Sequence, residues 1–403
     1  MKKWTWMFAL TLAALCVCAS AGADVAIDET NFPDENFRSC VARFDRNGDG
    51  IFSDEELGRV TEIECERVAD LTGIGYFTAL TRLYCTGNRL TEIDLSRNTA
   101  LTELYCGKNR LTALDVSGNT MLRVLQCYEN PLTELDVSRN TALTVLDCGY
   151  NDLAELDVRC NTSLVYLICQ GNRLTELDLR SNAALTLLAC GGNLLTELDV
   201  SGNTALTALM CHNNRLTELD LKCNTGLTEL YCAGNRLTAL DVSRNTAMTQ
   251  LYCAGNLLTE LDVSRNTALT ELSCEDNRLN EMDLSFTPNL FIAVLYGAKT
   301  EGEYAEYILD YNYFSADSRV AVITVPSSYL LLPADLTAAE DEAFLNIRAD
   351  AVIVPPGVAS IGANAFPAGV RIYGPASSAA MTWAAMNECA FFPCTEEWIT
   401  ALR

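Results

Sequence analysis

Histidine occurs once in the 403 residues, at His212, and lysine plus arginine total only 28 against 53 aspartates and glutamates. The formal net charge of −25 argues against nucleic acid and anionic membrane as partners. No glycine-rich nucleotide loop and no nucleophile elbow is present. The lone His212 follows Cys211 directly, so on a strand the two side chains point to opposite faces and cannot form a Cys–His pair. These absences leave catalysis little support. Beyond the first 23 residues no apolar run is long enough to cross a bilayer, and no sorting motif precedes Arg403.

Residues 1–23 combine Lys2 and Lys3, an apolar run from Trp4 to Cys18 and the small-residue stretch Ala19–Ala23. This is the layout of a secretory signal peptide, with cleavage after Ala21 or Ala23. Lipidation at Cys16 or Cys18 is disfavoured by Leu15 and Val17 in front of them. The expected location is therefore secreted or cell-surface.

From Leu80 to Asn289 one 21-residue sentence is written ten times without insertion: L-T-x-L-x-C-x-x-N-x-L-T-E-L-D-V-S-x-N-T-A. A fixed period of this length signals a solenoid whose coils cover one another's apolar faces. A degenerate coil, Val60 to Ala79, precedes it, with Val60, Ile63 and Cys65 at the first, fourth and sixth positions and one residue missing. The phrase L-x-x-L-x-C-x-x-N-x-L resembles the leucine-rich repeat, and the short second half resembles the internalin-related repeats of bacterial secreted and surface proteins. The resemblance implies a leucine-rich-repeat solenoid of the α/β horseshoe class, mostly short parallel strands, with a habit of binding but no particular partner.

Each repeat position becomes a ladder along a stack about 50 Å long, with coils about 4.8 Å apart. The sixth position is Cys in every coil from Cys65 to Cys274. It alternates with the inward Leu of the fourth, so the thiols are expected in the core, free, as small hydrophobes. In-register side chains point the same way rather than at each other, and zinc needs clustered ligands rather than a line. Asn at the ninth and nineteenth positions is expected to satisfy backbone groups of adjacent coils in tight turns. Asp at the fifteenth position and Glu at the thirteenth flank an inward Leu and face solvent. There the Asp is expected to bond turn amides, balanced by arginines such as Arg97, Arg139, Arg244 and Arg265. Cys160 and Cys223 share the eighteenth position, three coils and about 14 Å apart, too far for a bridge between them.

The outward positions of the first strand vary. Tyr166, Ile168, Leu187 and Met210 form an apolar centre, with Tyr105, Tyr231 and Tyr252 to either side and Tyr150 and His212 at adjacent positions. An aromatic and apolar patch of this size marks recognition, and Tyr gives contact area at low entropic cost. The expected ligand is a protein or glycan on the concave face. The rival reading is a structural surface or matrix component without a specific ligand, and an enzyme comes a distant third.

Residues 24–59 precede the coils. Phe37, Val41 and Phe44 fall on one helical face after Pro33. Asp45, Asn47, Asp49, the Ile51 carbonyl, Ser53 and Glu56 then follow the twelve-residue EF-hand pattern, with Gly50 at its sharp turn. Hard oxygen donors at alternating positions predict a calcium site. Ser53 to Glu56 is equally a capping box opening the next helix. Either way the segment caps the first coil.

After Asn289 the period stops. Residues 290–331 are expected to cap or link. From residue 332 to 403, V-I-V-P-P-G-V-A-S-I-G-A-N-A-F, ending at Phe366, resembles the BspA-like leucine-rich repeat, and a partial copy ending at Phe344 departs from it at Ala338-Ala339-Glu340. Both phenylalanines are expected to plug a core closing the solenoid, and Cys389 and Cys394 are close enough in sequence for a local disulfide.

Overall fold

The computed structural model describes residues 24–279, 281–283, 298–300, 304–309, 312–317, 321–323, 330–332, 336–340, 343, 351–366, 370–375, 378–387, 389 and 391–393. The signal-peptide reading, Phe344 and Cys394 lie outside the described residues.

The N-terminal cap is a small aromatic core seated on the degenerate coil. Strand β1 (Val25–Ala26) pairs antiparallel with β2 (Ile51–Phe52). Between them runs α1 (Glu35–Ala42), whose N-cap is Asp34, so Pro33 lies just outside the helix. The Asp34 carboxylate accepts from Phe37 N at 2.9 Å and from Ala69 N at 2.8 Å, so one side chain both caps the helix and ties it to the first coil. After the loop, α2 (Asp54–Leu57) is a single turn. Phe32, Phe37, Val41 and Phe52 are fully buried, and Phe52 meets Phe77 of the degenerate coil edge-on at 5.6 Å. Gly73 has φ +100°, and a Cβ there would strike Asn31 O at 2.4 Å, so glycine lets coil and cap close.

Eleven parallel strands follow, from β3 (Glu62–Glu64) and β4 (Arg82–Tyr84) to β13 (Glu271–Ser273). Each is three residues long, at the third to fifth positions of its coil, and pairs its equivalent in the next coil, as in Leu83 with Leu104 and Leu104 with Leu125. The middle Leu is buried and its neighbours face outward, as the period of two demands.

Inside, the sixth-position thiols from Cys65 to Cys274 are free and buried. Burial raises their pKa, for Cys65 to about 12. They are inert core, as expected. The ninth-position Asn works across coils: Asn172 donates to Cys148 O and to Cys169 O, both at 3.0 Å, and accepts from Leu153 N at 3.0 Å. At the nineteenth, Asn161 donates to Val137 O and Asn140 O, both at 2.9 Å. A further ladder was not anticipated: the second-position Thr hydroxyl donates to the carbonyl of the same position one coil earlier, as Thr102 to Thr81 at 3.0 Å.

The sheet does not end with the period at Asn289. Strands β15 (Ala298–Thr300), β16 (Tyr304–Leu309) and β17 (Asn312–Asp317) continue it, while β14 (Glu281–Asp283), in the last coil, and β18 (Ala321–Ile323) form a separate two-stranded sheet. Strand β17 adds to β13 in parallel, β16 and β15 follow antiparallel, and β18 stacks on β14. The segment read as a cap or linker is thus built as one more two-sided coil with a hairpin on its outer edge.

Further on, β19 (Leu330–Leu331), β20 (Ala338–Ala339), β21 (Ala351–Ile353), β22 (Ser360–Ile361), β23 (Arg371–Gly374), α3 (Ala379–Met386) and β24 (Phe391–Pro393) form another stacked unit. Strands β19, β21, β23 and β24 are parallel neighbours. The Ala338-Ala339 departure still makes a strand, paired with Ser360 and Ile361. Phe366 plugs this core as expected, edge-on to Trp383 at 4.9 Å, and the Trp383 indole donates to Gly362 O at 2.6 Å.

Candidate functional site

The outward face of the fourteen-stranded sheet carries the residues on which the coils differ. Lateral register places Tyr166, Leu187 and Ala208 in one row and Ile168, Ala189 and Met210 in the next. Ala189 and Ala208 are buried beneath their larger neighbours, whereas Ile168, Leu187 and Met210 are half-exposed and Tyr166 is 46% exposed. The centre is therefore a continuous apolar surface with two shallow dips.

Tyrosine pairs bound it. Tyr84 stacks on Tyr105 with ring centroids 4.7 Å apart, and Tyr231 on Tyr252 at 4.6 Å. Their hydroxyls are held in place: Tyr105 donates to Glu103 Oε2 at 2.9 Å, Tyr231 to Gln250 Oε1 at 2.6 Å, and Tyr252 to Glu271. Burial, then the Glu103 carboxylate, push the Tyr105 phenol up to about 12, so it stays neutral. Three of the tyrosines read as contact residues are thus half-buried, preorganised walls.

Tyr150 is placed differently from its companions. It sits at the eighth position, in the turn after the strand, with φ +53° and 56% exposed. Every eighth position from Gly87 to Asp276 has positive φ, glycine in five coils and Lys108, Glu129, Tyr150, Asn213 and Asp276 in the others. The recurring glycine at that column was the signal for this turn. Tyr150 lies against Gly171, where a Cβ would come within 2.6 Å of its ring, and His212 lies against Gly191, where a Cβ would come within 2.5 Å. One ring reaches forward a coil and the other back a coil, so both rest on neighbouring turns beside the apolar centre. Burial lowers the His212 pKa, and Cys211 is in the core, so the two are on opposite sides of the chain as expected. At the rim, burial raises the Asp147 carboxyl, which accepts from Gly149 N at 3.1 Å.

On the opposite side the fifteenth-position carboxylates accept from the amide two residues on, as Asp94 from Ser96 N at 3.0 Å. Hydrogen bonds from Ser96 lower the Asp94 pKa. The direct ion pairs with this row come from the seventeenth position, through Arg159, Arg180 and Lys222, rather than from the eighteenth-position arginines. The eighteenth-position arginines act on the row at longer range: after the hydrogen bonds from the serine two residues on, Arg139, Arg244 and Arg265 each help to lower the pKa of the aspartate of their own coil.

The loop from Asp45 to Glu56 gathers its own oxygens. The Asp45 carboxylate accepts from Gly48 N at 2.7 Å and Gly50 N at 2.9 Å; Asn47 Oδ1 accepts from Asp49 N and Asp49 Oδ1 from Ile51 N. Gly48 and Gly50 have φ of +75° and +78°, as the sharp turn requires. Glu56 Oε1 accepts from Arg46 N at 2.9 Å, and Oε2 from the Ser53 amide and hydroxyl. These bonds, Ser53 first, push the Glu56 pKa down to about 2. The donor set is wholly hard oxygen, the type a calcium ion takes, but Asp45, Asp49 and Glu56 do not converge as a three-carboxylate cluster, and the capping box is formed as well.

No family model matches the chain. A stretch of 71 residues is 46% identical to internalin J of Listeria monocytogenes serotype 4b (strain F2365), covering 17% of this chain and 8% of that protein. The match thus spans under a tenth of the curated relative. The solved functional domain of InlJ from Listeria monocytogenes, which includes a cysteine ladder, is similar over 88% of this chain and 77% of its own, at 34% identity and a TM-score of 0.68. The Leptospira interrogans protein LIC12759 shares the fold, with a TM-score of 0.54 at 16% identity over 86% of this chain and 84% of its own. With the repeat, the thiol ladder and this coverage in agreement, the chain belongs to the internalin family of bacterial leucine-rich-repeat proteins.

Proposed function

We propose that the chain is an exported interaction module that binds a protein or glycan ligand on the concave strand face, at a site made by Tyr150, Tyr166, Ile168, Leu187 and Met210 between the tyrosine walls. The observation that carries this reading is the contrast within one repeat. Core and turn positions are nearly constant over ten coils, whereas the outward positions change and assemble an apolar centre on the sheet. A binding role needs such a surface; a filler or matrix role does not. The triple variant Tyr105→Ala, Tyr166→Ala, Tyr231→Ala tests it: reduced capture of species from host or envelope extracts is expected, and unchanged capture removes the concave-face reading.

In the same reading Asp45, Asn47, Asp49, Ile51, Ser53 and Glu56 hold calcium, which stiffens the cap on which the first coil rests. The support is the hard-oxygen donor set and the two glycine turns. Melting with and without a chelator, in wild type and in Asp49→Ala, decides the matter. Wild type is expected to lose several degrees on chelation and the variant none; no loss in wild type removes the site.

A further inference from the structure

We propose that two copies of this chain join edge to edge through a reciprocal pair of disulfides, Cys160 of each copy bonded to the partner's Cys223. Fifteen cysteines are free among the described residues, eleven of them in the buried ladder. Cys40 and Cys389 are half-buried, and Cys160 and Cys223 are the exposed ones.

Both stand at the eighteenth position, immediately before a buried Asn that fastens the turn to earlier coils. Asn161 donates to Val137 O and Asn140 O, and Asn224 to Val200 O and Asn203 O. The two thiols are therefore mounted on rigid turns, about 14 Å apart, with no route to each other within one chain. Between them at the same position lie only Ser181 and Gly202, whereas Arg139 and Arg244 stand on the outer sides. A low stretch bounded by long side chains lets a second edge approach to the 4.4–6.8 Å Cα separation a disulfide needs, roughly one coil spacing. The cations of this stretch are each bonded back to an aspartate of their own coil, Arg159 to Asp157, Arg180 to Asp178 and Lys222 to Asp220, which limits repulsion between two such edges.

A two-fold axis perpendicular to the stack, passing between Ser181 and Gly202, exchanges the coil of Cys160 with the coil of Cys223. Each Cys160 then meets the partner's Cys223, both bridges share one geometry, and the assembly closes at two copies. The oxidant is a low-molecular-weight disulfide. A Cys160 thiolate attacks it and releases one small thiol; the partner's Cys223 thiolate then attacks the Cys160 sulfur and releases the second, so each bridge consumes one small disulfide and yields two small thiols. Only the supply of oxidant depends on the export proposed above, and the test supplies it directly.

The purified chain is incubated with oxidised glutathione, then examined by sedimentation and by peptide mapping without reductant. The expected result is a dimer that dithiothreitol dissolves, containing a Cys160–Cys223 linked peptide, and a monomer for Cys160→Ser, Cys223→Ser and the double variant, each melting as wild type does. A monomer carrying glutathione on both residues overturns the proposal. So does a Cys160–Cys160 or Cys223–Cys223 peptide, or a dimer that persists in the double variant.

Discussion

At the residue scale the solenoid is held by side chains that serve two coils at once. Asn172→Ala strands Leu153 N in the core, at roughly 1–3 kcal/mol, and takes one of two amide donors from each of Cys148 O and Cys169 O, at about 1 kcal/mol per lost bond, since Asn151 and Asn193 still reach these carbonyls. Cys169→Ala removes only apolar contact and is expected to cost about 1 kcal/mol. Urea unfolding should therefore show a midpoint shift at least twice as large for the asparagine; equal shifts would mean that the ladder is ordinary packing. Glu56 gives a second prediction. Its folded pKa is depressed from an ordinary 4.5 to about 2, so its contribution is complete above pH 4.5 and is lost as pH falls towards 2. Glu56→Gln should flatten cap melting across that window, followed through the cap aromatics, and an unchanged pH profile would refute the assignment. These roles were legible because the residue types recur: an amide or a thiol repeated in register has few explanations. The threonine ladder was hidden because Thr also suits a strand and a turn.

The element that most shapes the surface is the turn at the eighth position. Gly171 combines φ +67° with the Tyr150 ring against it, so Gly171→Ala is expected to destabilise by about 1–2 kcal/mol from the backbone alone. Gly118→Ala, with a negative φ and its nearest contact at 3.9 Å, should fall within about 0.5 kcal/mol of wild type. Equal thermal shifts would mean that the left-handed turn is not selected for. Sequence periodicity could place this turn but not Tyr150 on it, because the side chain departs from the strand direction only once the backbone is left-handed. The strands from β15 to β18 escaped for a related reason. Hydrogen bonding to an open sheet edge needs backbone groups, not a repeated side-chain pattern, so the sheet continued where the period had stopped.

In the whole molecule every coil divides into an interior that tolerates no change and a strand face that is free to vary. The direct measurement is a variant that rewrites only the face of the central coils to match their neighbours: Tyr166→Glu, Ile168→Tyr, Leu187→Glu and Met210→Tyr. Far-ultraviolet circular dichroism and thermal melting should match wild type within a few degrees, because none of the four side chains enters a core ladder. Binding to the species that wild type captures from host or envelope extracts should fall at least tenfold, a loss of about 1.4 kcal/mol or more. A variant that keeps the fold and binds as wild type does would contradict the assignment of function to this face.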